Sequence, residues 1–174
     1  MTKKYKLTHY TKVVEGHILH RIKALKSFDD VRKGDLGGWV ESYSNLSQKG
    51  TAWIYDKAKV YDDARVFDNA KVFDNAKVCD HARVYGDAWV YRNAWVYGHA
   101  RVSDAAGVSG NARVHGHAKV YDNAKVWDNV LVYDHAQVCG DAIIYDNDMV
   151  YGRTKVYNHT QVYGNDWVCG HIQP

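Results

Sequence analysis

Apolar residues recur with a period of six from Ala52 to His171, and twenty such hexads follow one another without an insertion. Their consensus is Ala-x-Val-Tyr-Asp-Asn: position three is Val or Ile in every hexad, and position one is Ala in fifteen of the twenty. Positions one and three lie two residues apart, so in an extended chain both side chains point inward, while positions two and four point outward. Each hexad therefore predicts a strand of three or four residues followed by a turn.

The turn is predicted from the last two positions of the hexad. Position five is Asp or Gly in eighteen hexads, and position six is Asn, Asp or His in seventeen. Asn, Asp and His are the non-glycine residues that most readily adopt the left-handed backbone conformation of a tight corner. We therefore assign the left-handed corner to position six.

Histidines at position six give the number of hexads in one coil. Five of them are separated by eighteen residues or a multiple of eighteen: His81, His99, His117, His135 and His171. Eighteen residues are three hexads, and a fixed short period is the signature of a solenoid whose repeats bury their apolar faces on their neighbours. The sequence thus predicts an all-β fold, a parallel β-helix solenoid with three hexads per 18-residue coil and between six and seven coils. The histidines would form one column along an edge, at the strand spacing of about 4.8 Å.

Two stretches carry a resemblance to a known family, Val72–Lys77 (Val-Phe-Asp-Asn-Ala-Lys) and Val120–Lys125 (Val-Tyr-Asp-Asn-Ala-Lys). Both match the aliphatic-x-x-x-small-x pattern of the bacterial hexapeptide-repeat proteins, and the resemblance extends over all twenty hexads. It implies a left-handed β-helix, although parallel crossovers are in general right-handed. The chain departs from the family in one respect, since an aromatic residue follows the aliphatic one in fourteen of the twenty hexads.

Residues 1–51 lack the six-residue period and are predicted to form an N-terminal cap, with residues 52–174 as the β-helix. The cap segment has a lysine-rich start and a glycine-rich stretch, Gly34–Val40. A solenoid needs its open end covered, so we expect this segment to fold onto the first coil, with any helix confined to it. Gly34–Val40 followed by Asn45–Ser47 also resembles the leader of hexapeptide-repeat proteins from bacteria and their phages, which implies a phage or prophage origin.

Composition narrows the function only modestly. The formal net charge of +3 is small, and it neither demands nucleic acid nor suggests a mimic of it. The sequence shows no signal peptide and no apolar run near twenty residues, so we expect a cytoplasmic protein with no membrane association. Cys79, Cys139 and Cys169 all occupy the outward position four, and we expect them to be free thiols.

The histidine column is the first candidate for chemistry, because stacked imidazoles can bind a divalent metal or share protons near neutral pH. Asp63 and Arg153 occupy the same column, however, and they are not equivalent ligands. Corner geometry explains these histidines better than ligation does. We therefore expect no metal site and no cofactor.

The coil from Ala100 to His117 is a second candidate. Its three hexads lose the outward aromatic residue in succession, as Ser103, Ser109 and His115, and Gly107 stands at position two. A serine nucleophile would need a histidine base within hydrogen-bond reach, but successive hexads lie on different faces of the prism. We expect a narrow waist with no catalytic residues; a binding notch and plain variation of the surface both stay open.

The outer surface supplies the first set of binding candidates. Position two is Lys or Arg in ten hexads, and on one face these cations lie beside aromatic residues at position four. The candidate patch comprises Arg83, Tyr85, Arg101, Lys119 and Tyr121. Basic residues interleaved with aromatics can follow a phosphate backbone and stack bases. A solvated sheet face, on which an Asp at position five compensates each cation, explains the same pattern.

Tryptophans at position two supply the second set of binding candidates, which comprises Trp89, Trp95 and Trp167. Trp53 occupies the same face as Trp89 and is expected to be exposed like it. Exposed apolar residues at this density suggest protein contacts.

Two classes of function compete for this sequence. The hexapeptide-repeat proteins are best known for trimeric acetyl- and acyltransferases, but those enzymes normally extend a loop from a coil or add a terminal segment. Twenty uninterrupted hexads show no such loop, so we favour a non-catalytic scaffold or binding protein that engages a macromolecule, most of all a protein, through its outer faces. An acyltransferase and a nucleic-acid-binding solenoid are the alternatives.

We further expect the protein to form a homo-oligomer. One mode joins copies end to end through the strand edges of the last coil, near Gln161–Ile172. The other joins them side by side through a tryptophan-bearing face.

Overall fold

The computed structural model describes residues 3–172, which form strands and turns and contain no helix. Three strands precede the hexads: β1 (Tyr5–Val14), β2 (His17–Ala24) and β3 (Leu36–Val40). The strands that follow are two residues long and are β4 (Trp53–Ile54), β5 (Lys59–Val60), β6 (Arg65–Val66), β7 (Lys71–Val72), β8 (Lys77–Val78), β9 (Arg83–Val84), β10 (Trp89–Val90), β11 (Trp95–Val96), β12 (Arg101–Val102), β13 (Gly107–Val108), β14 (Arg113–Val114), β15 (Lys119–Val120), β16 (Lys125–Val126), β17 (Leu131–Val132), β18 (Gln137–Val138), β19 (Ile143–Ile144), β20 (Met149–Val150), β21 (Lys155–Val156), β22 (Gln161–Val162), β23 (Trp167–Val168) and β24 (His171–Ile172). Within residues 3–172 there is accordingly no helix long and apolar enough to cross a membrane.

Every third short strand belongs to the same parallel sheet. One sheet of seven runs from β4 to β22, a second of seven runs from β6 to β24, and the third joins β3 to β5 and continues to β23. Val90 pairs with Val72 on one side and with Val108 on the other, so the register advances by eighteen residues per coil. The predicted fold, an all-β parallel solenoid of three hexads per coil, is confirmed, with about seven coils. Its left-handedness stays a prediction from the family resemblance.

The core is a column of small and β-branched residues along the solenoid axis. From Ala52 to Ile144, every residue at positions one and three is at most 1% exposed. Two-residue strands suffice because each backbone amide of the strand bonds to the neighbouring coil, as Lys71 N–H does to Ala88 O at 2.9 Å. The predicted strand length of three or four residues is therefore wrong, since only positions two and three are in strand conformation and the turn occupies positions five and six.

The left-handed corner lies at position five, and its assignment to position six is wrong. All twenty residues at position five, from Asp56 to Gly170, have a positive φ. Asp is favoured there because its carboxylate accepts a hydrogen bond from the position-five N–H one coil later. Gly98 N–H donates to Asp80 at 2.8 Å in this way, and Arg92 N–H donates to Asp74 at 3.0 Å. Gly fits the same place because it has no Cβ.

Position six instead carries side-chain ladders along the edges of the prism. On one edge each asparagine amide donates to the next asparagine at 2.9–3.3 Å, through Asn75, Asn93, Asn111, Asn129, Asn147 and Asn165. In such a ladder, each exposed side-chain amide forms a hydrogen bond with the asparagine at the same position one coil away. The preference for Asn and His at this position is thus a consequence of stacking rather than of backbone conformation.

The N-terminal segment extends one sheet and folds over the first coil. β1 and β2 form an antiparallel hairpin, β2 pairs with β3, and β3 pairs in parallel with β5. The close approach requires glycine, because a Cβ on Gly37 would lie 2.6 Å from the backbone oxygen of Ile54. Lys4 anchors the segment by donating from Nζ to Ala52 O at 2.8 Å, and burial lowers the pKa of Lys4 to about 8.

The cap segment also covers one of the outward tryptophans. Trp53 is 1% exposed and packs edge-on against Tyr5 and Phe28, with ring centroids 6.1 Å and 5.4 Å away. The expectation that Trp53 is exposed is therefore wrong. Its side chain points out of the sheet as predicted, but residues of the N-terminal cap segment cover it.

The last coils have polar residues at the inward position one. Asp148, Thr154 and Thr160 stand where the consensus has Ala, and they are 0%, 0% and 6% exposed. Asp148 accepts a hydrogen bond at Oδ1 from Asp166 N–H at 2.8 Å, whereas its Oδ2 has no partner among the described residues. The core is thus less apolar in this part of the solenoid than in the coils before it.

Candidate functional site

One sheet presents the predicted basic patch. Arg101 on β12 pairs directly with Arg83 on β9 and with Lys119 on β15, and all three side chains are exposed. Position two points outward in each strand, so the three cations form a column with one residue per coil. Successive members are separated by the strand spacing of about 4.8 Å.

The two tyrosines of the patch lie beside this column, immediately after β9 and β15. Tyr85 stacks on Phe67 with ring centroids 4.9 Å apart, and Tyr121 donates its hydroxyl to Gln137 Oε1 at 3.2 Å. Both rings are half-buried, with Ser103 between them in the same column. Burial raises the pKa of Tyr121 to about 12, so its hydroxyl remains a hydrogen-bond donor at neutral pH.

The histidine column lies on the other side of the cations. The rings of His81, His99, His117 and His135 are exposed and stack nearly parallel, with successive centroids 4.8, 4.8 and 5.0 Å apart. The predicted column is therefore present over four coils, whereas the side chain of His171 lies outside the described residues. Among the side chains that the structure describes, no three of these imidazoles bring their ring nitrogens together as a metal site would require.

The cation column and the histidine column form the two walls of one groove, which we call the cationic groove. It has a volume of about 580 Å³ and is lined on one side by the four histidines and on the other by Arg83, Arg101, Lys119 and Gln137. Sequence reasoning treated the two columns separately and missed the groove. The signal was available, because position six and the next position two are separated by a single inward alanine and so face the same side.

The three cations of the cationic groove lack direct carboxylate partners among the described residues. Within the described residues Arg83, Arg101 and Lys119 form no ion pair, and the only acid that meets the histidine wall is Asp63, which lies 3.4 Å from His81 Nδ1. The hexads that lead to His99 and His117 carry Gly98 and Gly116 at position five in place of Asp. The hexads of Arg101 and Lys119 do carry Asp104 and Asp122 at position five, so compensation by nearby Asp residues stays an alternative interpretation, although no direct ion pair supports it.

Comparisons with known proteins agree with this architecture. Residues 76–92 and 94–110 match the family described as the YdcK beta solenoid repeat. The chain is a parallel β-solenoid built from six-residue repeats, and these matches fit the hexapeptide-repeat proteins. Over 40 residues it is 42% identical to a protein of Escherichia coli (strain K12) named "Uncharacterized acetyltransferase YdcK". That similarity spans 23% of this chain and 12% of the relative's length.

The tryptophans of the solenoid lie in different environments. Trp89 and Trp167 are 49% and 73% exposed. Trp95 is half-buried: its Nε1–H donates to Cys79 Sγ at 3.2 Å, and Lys77 Nζ lies 5.0 Å from its ring centroid. Trp95 already has partners within its own coil stack, so the free apolar surface comes from Trp89 and Trp167.

The predicted waist is a notch on one face. His115 stacks between Tyr97 and Tyr133, with centroids 4.7 Å and 5.3 Å away, and so continues its aromatic column. Gly107 and Ser109 leave a depression of about 750 Å³ on the sheet that contains β13. A Cβ on Gly107 would meet open space. Ser109 and His115 follow β13 and β14, which belong to different sheets, so they do not form a nucleophile-base pair.

A second polar cluster, which sequence reasoning missed, joins the cap segment to the solenoid. His17 Nδ1 lies 3.1 Å from Glu41 Oε1, and His17 Nε2 lies 3.3 Å from Asp62 Oδ1. The hydrogen bond to Glu41 and the nearby charge of Asp62 raise the pKa of His17. Each ring nitrogen already meets a carboxylate, so this arrangement favours the protonated imidazolium form of His17. No period or motif in residues 1–51 pointed to it.

Proposed function

We propose that the protein is a non-catalytic binding scaffold that engages a partner protein through the outer faces of its coils. The observation that carries this proposal is the exposure of Trp89 and Trp167, large apolar side chains on a rigid backbone. Aromatic anchors of this kind dominate protein interfaces because they bury much area and lose little conformational entropy on binding.

Self-association is part of this proposal. The same tryptophan faces could join copies side by side, and the strand edges of the last coil could join them end to end. Light scattering at micromolar concentration distinguishes the cases. Loss of the oligomer on Trp167→Ala or Trp89→Ala supports the lateral mode, and loss on Val168→Asp supports the end-to-end mode.

The experiment that tests partner binding compares a double variant with a matched control. Tagged protein is cross-linked in lysate, and each captured protein is purified and titrated by calorimetry against wild type, Trp89→Ala/Trp167→Ala and Trp127→Ala. Trp127 is a fair control because it is half-buried and stacks on Tyr145 at 5.0 Å. A partner whose binding falls at least tenfold with the double variant alone supports the proposal. Equal binding to all three proteins, or no purified partner that binds, contradicts it.

An acetyltransferase is the second candidate, favoured by one observation, the name of the relative that shares 42% identity over 40 residues. The test is a thermal-shift titration with acetyl-CoA, followed by an acetyl-transfer assay on amines and sugars. A saturable shift with turnover that His115→Ala abolishes would establish this activity and would overturn the non-catalytic proposal.

A further inference from the structure

We propose that the cationic groove binds single-stranded nucleic acid, with the phosphate backbone between the histidine and cation columns and bases against Tyr85 and Tyr121. This inference is independent of the partner protein proposed above, because Trp89 and Trp167 lie on the other two sheets. It concerns a different ligand class and a different edge of the prism.

Charge is the first argument. Three exposed cations, Arg83, Arg101 and Lys119, share one groove wall without an ion pair among the described residues, whereas Lys71 and Lys77 of the solenoid pair with acids of the cap segment. Lys71 Nζ, for instance, lies 2.8 Å from Asp29 Oδ2. Like charges stacked at the strand spacing repel one another, and an anion in the groove would relieve that repulsion. A groove with this charge pattern is complementary to a polyanion.

Shape is the second argument. The groove runs parallel to the solenoid axis, because both of its walls are columns with one residue per coil. From His81 to His135 it covers three coil steps, or about 14 Å at the strand spacing. That length accommodates a few consecutive phosphates of an extended strand. Imidazole and guanidinium N–H groups on the two walls can both donate to phosphate oxygens.

The aromatic column beside the cations selects a nucleic acid over other polyanions. Tyr85 and Tyr121 belong to coils on either side of the one that contains Ser103, which has no ring. The half-buried tyrosine rings therefore flank the position of a missing aromatic residue, two residues along the chain from Arg101. Proteins that bind single strands without sequence preference combine such a charged groove with aromatic rings on which bases stack.

The test is fluorescence anisotropy of a labelled oligothymidylate against the full chain over a range of salt concentrations. Each phosphate contact to a single strand contributes a slope of about −0.7 to log K against log salt, so three contacts predict a slope of about −2. Between about 50 and about 200 mM salt the affinity should then fall about 20-fold. Arg83→Ala/Arg101→Ala should reduce the slope to about −0.7, because one cation remains.

The matched control removes two cations from the other two sheets, as Arg113→Ala/Lys125→Ala. It has the same net charge as the groove variant and should bind like wild type, whereas a nonspecific electrostatic attraction would weaken equally in both. All variants change exposed outward positions, and circular dichroism verifies that each one folds. Lys119→Ala, with an expected slope of about −1.4, gives an independent reading if one double variant does not fold.

Two further probes distinguish a nucleic acid from any other polyanion. Tyr85→Leu keeps an apolar side chain but removes the aromatic face, so it should weaken oligothymidylate about tenfold or more and leave inorganic polyphosphate unchanged. The proposal is overturned if oligothymidylate does not bind at the lowest salt, if the groove and control variants behave alike, or if Tyr85→Leu weakens neither probe. A purified protein partner that needs Arg83 and Arg101 while the oligonucleotide does not bind would also overturn it.

Discussion

Asp148 offers the sharpest test of how the coil stack is stabilised, because it places a carboxylate where fifteen of twenty hexads have Ala. The side chain is 0% exposed, and its Oδ2 has no hydrogen-bond partner among the described residues. A buried polar atom without a partner costs about 1–3 kcal/mol. Asp148→Ala removes that cost and restores the consensus core.

One contact opposes the gain. Asp148 Oδ1 accepts a hydrogen bond from Asp166 N–H at 2.8 Å, and such a bond contributes about 0.5–1.5 kcal/mol. In other coils the N–H of position one bonds to the carbonyl of position four in the preceding turn, as Ala82 N–H does to Cys79 O at 3.2 Å. Once the Asp148 carboxylate is removed, Asp166 N–H can make the same hydrogen bond to the position-four carbonyl of the turn that precedes it. We therefore expect a net stabilisation of about 1–2 kcal/mol, or roughly 2–8 °C in Tm for a chain of this length.

The pH dependence of this gain follows from the sign of the pKa shift. Burial raises the pKa of Asp148, so the folded protein holds the proton more tightly than the unfolded chain does. Below the unfolded value of about 3.9 both states are protonated and the ionisation penalty is absent. The penalty appears as the pH rises through the folded value. The gain from Asp148→Ala should therefore be larger at neutral pH than near pH 4.

Hydrogen exchange resolved by segment is the appropriate assay, because coils of a solenoid can open locally without global unfolding. We expect slower exchange in β20 to β23 and little change before β17. Asp148→Asn serves as the control: it keeps the shape and an acceptor for Asp166 but carries no charge, so its advantage over wild type should vanish near pH 4. A variant Asp148→Ala that is no more stable than wild type at pH 7, or whose gain does not depend on pH, would refute this reasoning.

Substitutions at three further positions test other parts of the solenoid and its cap. Ser109→Tyr should stabilise the protein by about 0.5–1.5 kcal/mol in chemical denaturation, because it restores a ring to an otherwise stacked aromatic column; destabilisation would mean that the notch does not admit a ring. Asp74→Gly should be nearly neutral in the same assay, because the relief of the left-handed backbone offsets the lost hydrogen bond from Arg92 N–H. Asp74→Val should lose about 1–2 kcal/mol, because a β-branched residue is strained at a φ of 57°; equal effects would contradict the corner assignment. The raised pKa of His17, held by Glu41 and Asp62, means that its stabilisation of the cap is present at acidic pH and lost as the pH rises through the folded value. As the pH rises from acidic to alkaline values, hydrogen exchange in β1 and β2 should therefore accelerate more in wild type than in His17→Gln.

The sequence predicted the solenoid well because its constraint is local and repeated. An Ala at position one in fifteen of twenty hexads and a Val or Ile two residues later in all twenty admit one burial pattern. The spacing of His81, His99 and His117 gives the length of a coil directly. The corner was misassigned because Asp, Asn and His all tolerate the left-handed region, so residue type alone does not decide between positions five and six. What decides is a bond between coils, from Arg92 N–H to the Asp74 carboxylate for instance, which exists only in the folded stack.

Features that depend on residues 1–51 were beyond reach from sequence. Nothing periodic in this segment indicated that Tyr5 and Phe28 would cover Trp53, or that His17 would lie between two carboxylates contributed by different elements. These contacts join parts of the chain 24 to 48 residues apart without a repeated pattern. A single sequence carries no signal that identifies which of these segments are in contact.

The candidate surfaces depend on the same repetition in a different way. Each outward position stacks on its equivalent one coil away, so a residue type that recurs every eighteen residues becomes a continuous column, and two adjacent columns become a groove. Columns of the cationic groove and the exposed tryptophans lie on different sheets. In a solenoid each repeat contacts only its neighbours, and substitutions at well-separated outward positions should add independently. Arg83→Ala/Arg101→Ala should therefore leave binding through Trp89 and Trp167 intact, and a loss of both activities in either variant would show that the faces do not act separately.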